Sequence, residues 1–173
     1  TIKLDGNYPV GTHNVALGNN ALSSAESGAN YNIAIGSNAG DAITSGNSNI
    51  GIGLNALGTT NTGAENIAIG TNAMLANTTG KYNVGIGTYA LNANNTANNN
   101  TATGYQSLYT NDTGASSTAV GYQASYLNLS GNQNTSVGYQ ALYTNSTGTL
   151  NTALGGQAMQ LATGSYSTGI GYQ

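Results

Sequence analysis

The chain repeats itself. Asn14-Val15-Ala16-Leu17-Gly18 returns as Asn32-Ile33-Ala34-Ile35-Gly36, then at Asn49, Asn66, Asn83, Asn100, Ser117, Asn134, Asn151 and Ser167. The closing glycines lie 18, then seven times 17, then 16 residues apart. A second Gly column, including Gly46, Gly63, Gly80, Gly114, Gly131 and Gly148, keeps the same step. A fixed period of this length signifies one structural unit stacked on copies of itself, each touching only its neighbours.

Within a unit the order is Asn, aliphatic or Thr, small, aliphatic, Gly, a variable residue, Asn or Gln, Ala, Leu, and a polar stretch ending in Ser/Thr-Gly. Four or five alternating residues rich in Val, Ile and Thr and bounded by Gly predict a strand; a helix needs apolar residues at 3.6 spacing over ten or more positions. No Asn-Gly pair occurs, and the single Asp-Gly, Asp5-Gly6, lies outside the period, which argues against tight hairpins. The reading is therefore all-β: a parallel β-solenoid, or β-roll, of about ten 17-residue coils over residues 14–173, truncated within a unit. Residues 1–13 fall outside the period and read as a non-repeating cap or junction.

Columns become ladders in such a stack. Asn32, Asn49, Asn66, Asn83, Asn100, Asn134 and Asn151 are expected to bond along the axis and hold the register. The aliphatic column from Leu17 to Ile170 faces one side of the strand. The small column of Ala34, Gly51, Ala68, Gly85, Ala102, Ala119, Ser136 and Ala153 faces the other, so something must approach it closely. Either the opposite wall of the same coil or a second chain would do. Apolar burial within one thin coil falls short of the entropy of ordering the chain, which favours the second chain and assigns this column to a subunit interface.

Composition removes several function classes. Only seven of 173 residues are charged, none is Arg, and Cys, Trp and Phe are absent. There is no thiolate metal site or disulfide, no basic surface for nucleic acid and no apolar run that could insert in a membrane as a helix. Glu26 and Asp112 share a column but lie five coils apart, Asp41 and Glu65 lie in different columns, and His13 has no sequence partner, so no catalytic constellation, cofactor site or metal site is expected. Gly51-Ile52-Gly53-Leu54-Asn55-Ala56 mimics a dinucleotide fingerprint but is the repeat itself.

Units such as Asn134-Thr-Ser-Val-Gly-Tyr-Gln-Ala-Leu-Tyr-Thr-Asn-Ser-Thr-Gly148 resemble the repeats of phage tail-fibre proteins and their bacterial relatives. The Asn-φ-Ala-φ-Gly core is similar to the head of YadA-like trimeric autotransporter adhesins. The resemblance covers residues 14–173. It implies a homotrimer of left-handed parallel β-rolls in an extracellular fibre, on a virion tail or a bacterial cell surface, meeting host or prey. The adhesin heads use a shorter repeat, so no binding position carries over.

Two features of the later units bear on binding. Tyr105, Tyr122 and Tyr139 share one column and Tyr109, Tyr126 and Tyr143 another, with a Gln column from Gln106 to Gln173 beside them. These rings and amides could stack on sugars, which makes them candidate glycan contacts; the alternative is ring stacking that stiffens the rod. The strand column also changes from Val and Ile to Thr101, Thr118, Thr135, Thr152 and Thr168. A flat hydroxyl array is the hallmark expected of an ice-binding solenoid, the rival reading, although only Thr101 with Thr103 supplies a paired rank. Sequons at Asn77, Asn111, Asn128 and Asn145 read as a turn column.

Overall fold

The computed structural model describes residues 11–172. The expected cap therefore lies almost wholly outside the described residues, as does Gln173. Ten strands, β1 (Val15–Leu17), β2 (Ile33–Ile35), β3 (Ile50–Ile52), β4 (Ile67–Ile69), β5 (Val84–Ile86), β6 (Thr101–Thr103), β7 (Thr118–Val120), β8 (Thr135–Val137), β9 (Thr152–Leu154) and β10 (Thr168–Ile170), form a single parallel sheet in sequence order. Every pairing is in the register of the repeat: Ile50 lies against Ile67, Gly51 against Ala68 and Ile52 against Ile69. This is a β-solenoid of about nine turns.

Each strand spans three residues, shorter than the alternation suggested, yet coil-to-coil bonding continues past it. The N–H of Ile67 donates to Asn83, that of Gly70 to Ile52, that of Met74 to Ala90 and that of Thr78 to Asn95. The turns are therefore stitched to the coils above and below almost as thoroughly as the strands.

Corners come from backbone in the left-handed region. Three non-glycine residues per coil adopt it, for example Glu65, Asn72 and Met74 at φ 57°, 55° and 48°. A fourth corner belongs to the closing glycine: at Gly53, φ is 132° and an added Cβ would stand 2.7 Å from the carbonyl of Gly70. Left-handed backbone costs about 1–2 kcal/mol for a side chain with a Cβ. At Leu57, Met74, Leu91 and Leu108 that cost is offset by complete burial, which contributes about 1.5–3 kcal/mol per side chain.

The interior is one side chain thick. The small column points inward, with Ala68, Ala102, Ala119, Ser136 and Ala153 fully buried within the single chain. A Cβ on Gly51 would meet the Leu57 side chain at 3.4 Å and the Ala56 carbonyl at 3.2 Å. The chain's own wall thus makes the close approach that the small column demands, and Ala34, Gly51, Ala68, Gly85, Ala102, Ala119, Ser136 and Ala153 are enclosed rather than presented to another subunit. The reason is the corner at the Leu column, which folds the chain back only six residues after the strand centre and leaves room for nothing larger than Ala or Ser.

Departures from the pattern are compensated. Gly40 stands where other coils carry Leu, and Ile43 of the same coil fills the space: a Cβ on Gly40 would lie 3.0 Å from its Cδ1. Ser125 also replaces Leu, and its hydroxyl donates to the Ser136 hydroxyl of the next coil at 2.8 Å. This buried polar pair interrupts the apolar core between Ala124 and Ala141.

Two stability outcomes follow. Glu65 is exposed at φ 57°, a geometry Asn tolerates better, so Glu65→Asn should raise the melting temperature, by about 0.5–1 kcal/mol of stability. Ser136→Ala leaves the Ser125 hydroxyl buried without its partner and should cost about 1–3 kcal/mol, whereas Ser125→Leu with Ser136→Ala should exceed the wild type in urea denaturation.

Candidate functional site

No group of three His, Cys, Asp or Glu that could hold a metal occurs among the described residues, and His13 stacks on Tyr31 with ring centroids 4.9 Å apart. The segment from Gly51 to Ala56 begins in β3 and runs into a turn with no helix behind it. No described helix is long and apolar enough to cross a membrane. The chemistry of this molecule lies in its ladders and outward faces.

The Asn column is buried. Asn66 accepts on Oδ1 from the backbone N–H of Asn83 at 3.0 Å, while its Nδ2 donates to the carbonyl of Gly80 at 2.8 Å. Asn32, Asn49, Asn83, Asn100, Asn134 and Asn151 make the same inward bond to a carbonyl 13 or 14 residues ahead. Each side chain therefore ties the strand to the far turn of the coil and also receives the next coil's backbone. At Ser117 the hydroxyl substitutes, accepting from the N–H of Asn134 at 3.1 Å.

A second ladder was not anticipated. The sequon asparagines Asn77, Asn111, Asn128 and Asn145, with Asn94, are fully buried. Their amides link coil to coil, Asn94 to Asn77 at 3.1 Å, Asn111 to Asn94 at 3.0 Å and Asn128 to Asn111 at 2.8 Å. The repeat step was the available signal; the polar surroundings in sequence hid the inward direction.

Two outward surfaces remain. On the sheet, the first and third strand residues face out. Ile35, Ile86, Val120, Val137 and Leu154 are 36–38% exposed, so this aliphatic column is a surface rank. Beside it runs the rank Ile33, Ile50, Ile67, Val84, Thr101, Thr118, Thr135 and Thr152, half-buried by its own neighbours. Neither rank contains a charge.

The aromatic surface follows the corner after the sheet. Tyr105, Tyr122 and Tyr139 are stacked at 5.5 and 5.3 Å, and Tyr109, Tyr126 and Tyr143 at 5.1 Å with planes within 5°. Tyr89 meets Tyr105 and Tyr109 edge-on. Between the ladders, Gln123 donates to Gln106 and Gln140 to Gln123, both at 2.8 Å. The faces of the central rings are occupied by other tyrosines, so a sugar meets edges and hydroxyls here rather than an open ring face. Burial and the neighbouring rings push the Tyr126 phenol above its usual value of 10.0.

One carboxylate is out of place. Asp41 has a buried Oδ1 with no hydrogen-bond partner, and desolvation raises its pKa above 3.8 against the lowering effect of the Asp41 and Ala42 backbone N–H groups. The fold thus favours the protonated acid. Its contribution is fully present below the unfolded value and is lost as pH rises through the folded one. Asp41→Asn should therefore melt above the wild type at pH 7, with the gap closing as pH falls through the carboxylate range in paired thermal scans.

No family model, curated protein or solved structure matches this chain, so its ladders and outward faces are what a functional reading rests on.

Proposed function

We propose that this chain is a rigid, non-catalytic segment of a trimeric surface fibre, of the virion-tail or bacterial-adhesin kind, with three parallel copies meeting through the outward faces of their sheets. The observation that carries this reading is the sheet itself: ten strands whose two outward ranks hold aliphatic and Thr side chains and no charge. A strip roughly 45 Å long and about 12 Å wide offers on the order of 550 Å² per copy, at the upper end of the patches a monomer exposes and suited to burial around a common axis. Each copy repeats at one strand spacing, so parallel copies present rungs to rungs. The charge-poor, hydrogen-bonded coil suits a spacer that holds a tip away from a surface and contacts host or prey along its side.

A second reading has its own observation. Thr101, Thr118, Thr135 and Thr152 stand in register in one outward rank of the parallel sheet, the kind of hydroxyl array that could order water as an ice-binding face.

Light scattering should give three times 17.3 kDa. A monomer showing thermal hysteresis would transfer the function to ice binding. Ile52→Glu with Ile69→Glu should abolish the trimer while circular dichroism keeps the β signal, because both residues face outward. Ala68→Glu should unfold the coil, because that site is enclosed. A trimer that survives the isoleucine changes would put the interface elsewhere.

A further inference from the structure

The rod changes character at one coil. In the column of Tyr105 the earlier coils carry Ser37, Leu54, Thr71 and Thr88; in that of Tyr109 they carry Asp41, Gly58, Leu75 and Asn92; in that of Gln106 they carry Asn38, Asn55, Asn72 and Tyr89. In the coils of β6, β7 and β8 all three adjoining columns become Tyr or Gln together. Ring stacking for stiffness would need one aromatic column. Two columns flanking an amide ladder make a lane of phenol and carboxamide groups that runs parallel to the axis. Tyr105, Tyr122 and Tyr139 remain 43%, 44% and 52% exposed, too open to be core.

We infer that this lane binds a neutral, extended β-1,4-linked glycan lying along the rod, one pyranose per coil. The inference rests on the fibre reading above and names the partner of its side surface. Its basis is a match of periods. The rings recur every 5.1–5.5 Å, and a fully extended β-1,4-linked chain advances by very nearly that length per sugar, so each coil meets one sugar, with alternate sugars turned over and presenting opposite edges to the lane. An extended polypeptide advances about 3.3 Å per residue and falls out of step. A polyanion is disfavoured by a chain with net charge −3 and no Arg. An α-1,4-linked chain curls away from a straight lane. Neutral hydroxyls find donors and acceptors in the phenols and in the Gln amides; within the ladder Gln123 donates only one amide N–H, to Gln106. Tyr89 and the three stacked rungs span four coils, so four sugars fill the lane.

Gly156 marks its end. It interrupts the column between Tyr139 and Tyr172, and a Cβ there would meet only the Tyr172 ring, at 3.4 and 3.7 Å. The backbone there has room for a Cβ, so Gly156→Tyr is the substitution that would extend the lane.

The test is isothermal titration of the intact protein with cellotetraose, cellobiose and maltotetraose. Cellotetraose should bind roughly tenfold more tightly than either other sugar, because adjoining subsites act together. Tyr122→Phe with Tyr139→Phe, which keeps the stacking, should weaken it by about fivefold at unchanged melting temperature, and Gly156→Tyr should tighten binding of cellohexaose by about threefold. Absence of saturation at millimolar cellotetraose, equal affinity for maltotetraose, or indifference to the hydroxyl changes would overturn the inference. Light scattering on the same samples keeps the two readings apart: a trimer that ignores cellotetraose removes the glycan lane alone, and a monomer that binds it removes the trimeric fibre alone.

Discussion

The structure depends on a side-chain oxygen accepting a backbone hydrogen from the coil above. At Asn66 that bond fixes the register to Asn83, while the same amide reaches across the interior to Gly80 and sets how far the far turn can swing out. Neither bond could be left unmade cheaply, since both groups are shut away from water. A slip of one residue would break every such pair at once and turn every strand side chain to the opposite face. Buried amides thus give this chain the positional certainty that a larger protein obtains from a varied apolar core.

The thinness of the coil explains most of what else is unusual. An interior one side chain deep cannot be filled by the large residues of ordinary cores, so small residues line the strand and a single Leu or Met closes most turns. Reaching that geometry requires corners made in one residue, and the chain accepts left-handed backbone even at Leu57 and Met74. The polar pair of Ser125 and Ser136 survives inside because its two hydroxyls meet at 2.8 Å. Among the described residues, Asp41 is the carboxylate that keeps a buried oxygen, Oδ1, without such a partner.

Period, strand direction and the role of Asn32 to Asn151 were legible in the sequence, because each is a property of columns and needs no knowledge of side-chain direction. Which face of the strand looks inward was not. Ala68 and Ile69 are both suited to a packed surface, and only the one-residue corner at Met74, which brings the chain's own wall back, decides between them. The corner was invisible for a physical reason: Leu and Met are poor residues for left-handed backbone, and burial overrides local preference there. Asn77 and its column were hidden in the same way, since Asn beside Thr reads as an exposed turn. The tyrosine columns were plain, but their mutual stacking, which leaves edges and hydroxyls outward, follows only from the coil spacing.

The two compensations differ in reach. Gly40 and Ile43 answer each other inside one turn of the chain, whereas Ser125 and Ser136 answer each other across a junction. A gene that duplicates or deletes one complete unit carries the first pair along intact, and the ends it joins still find matching partners. A cut between the two serines separates a hydroxyl from its mate. Length in such a molecule is editable in steps of one strand's width by recombination, at nearly every seam but that one.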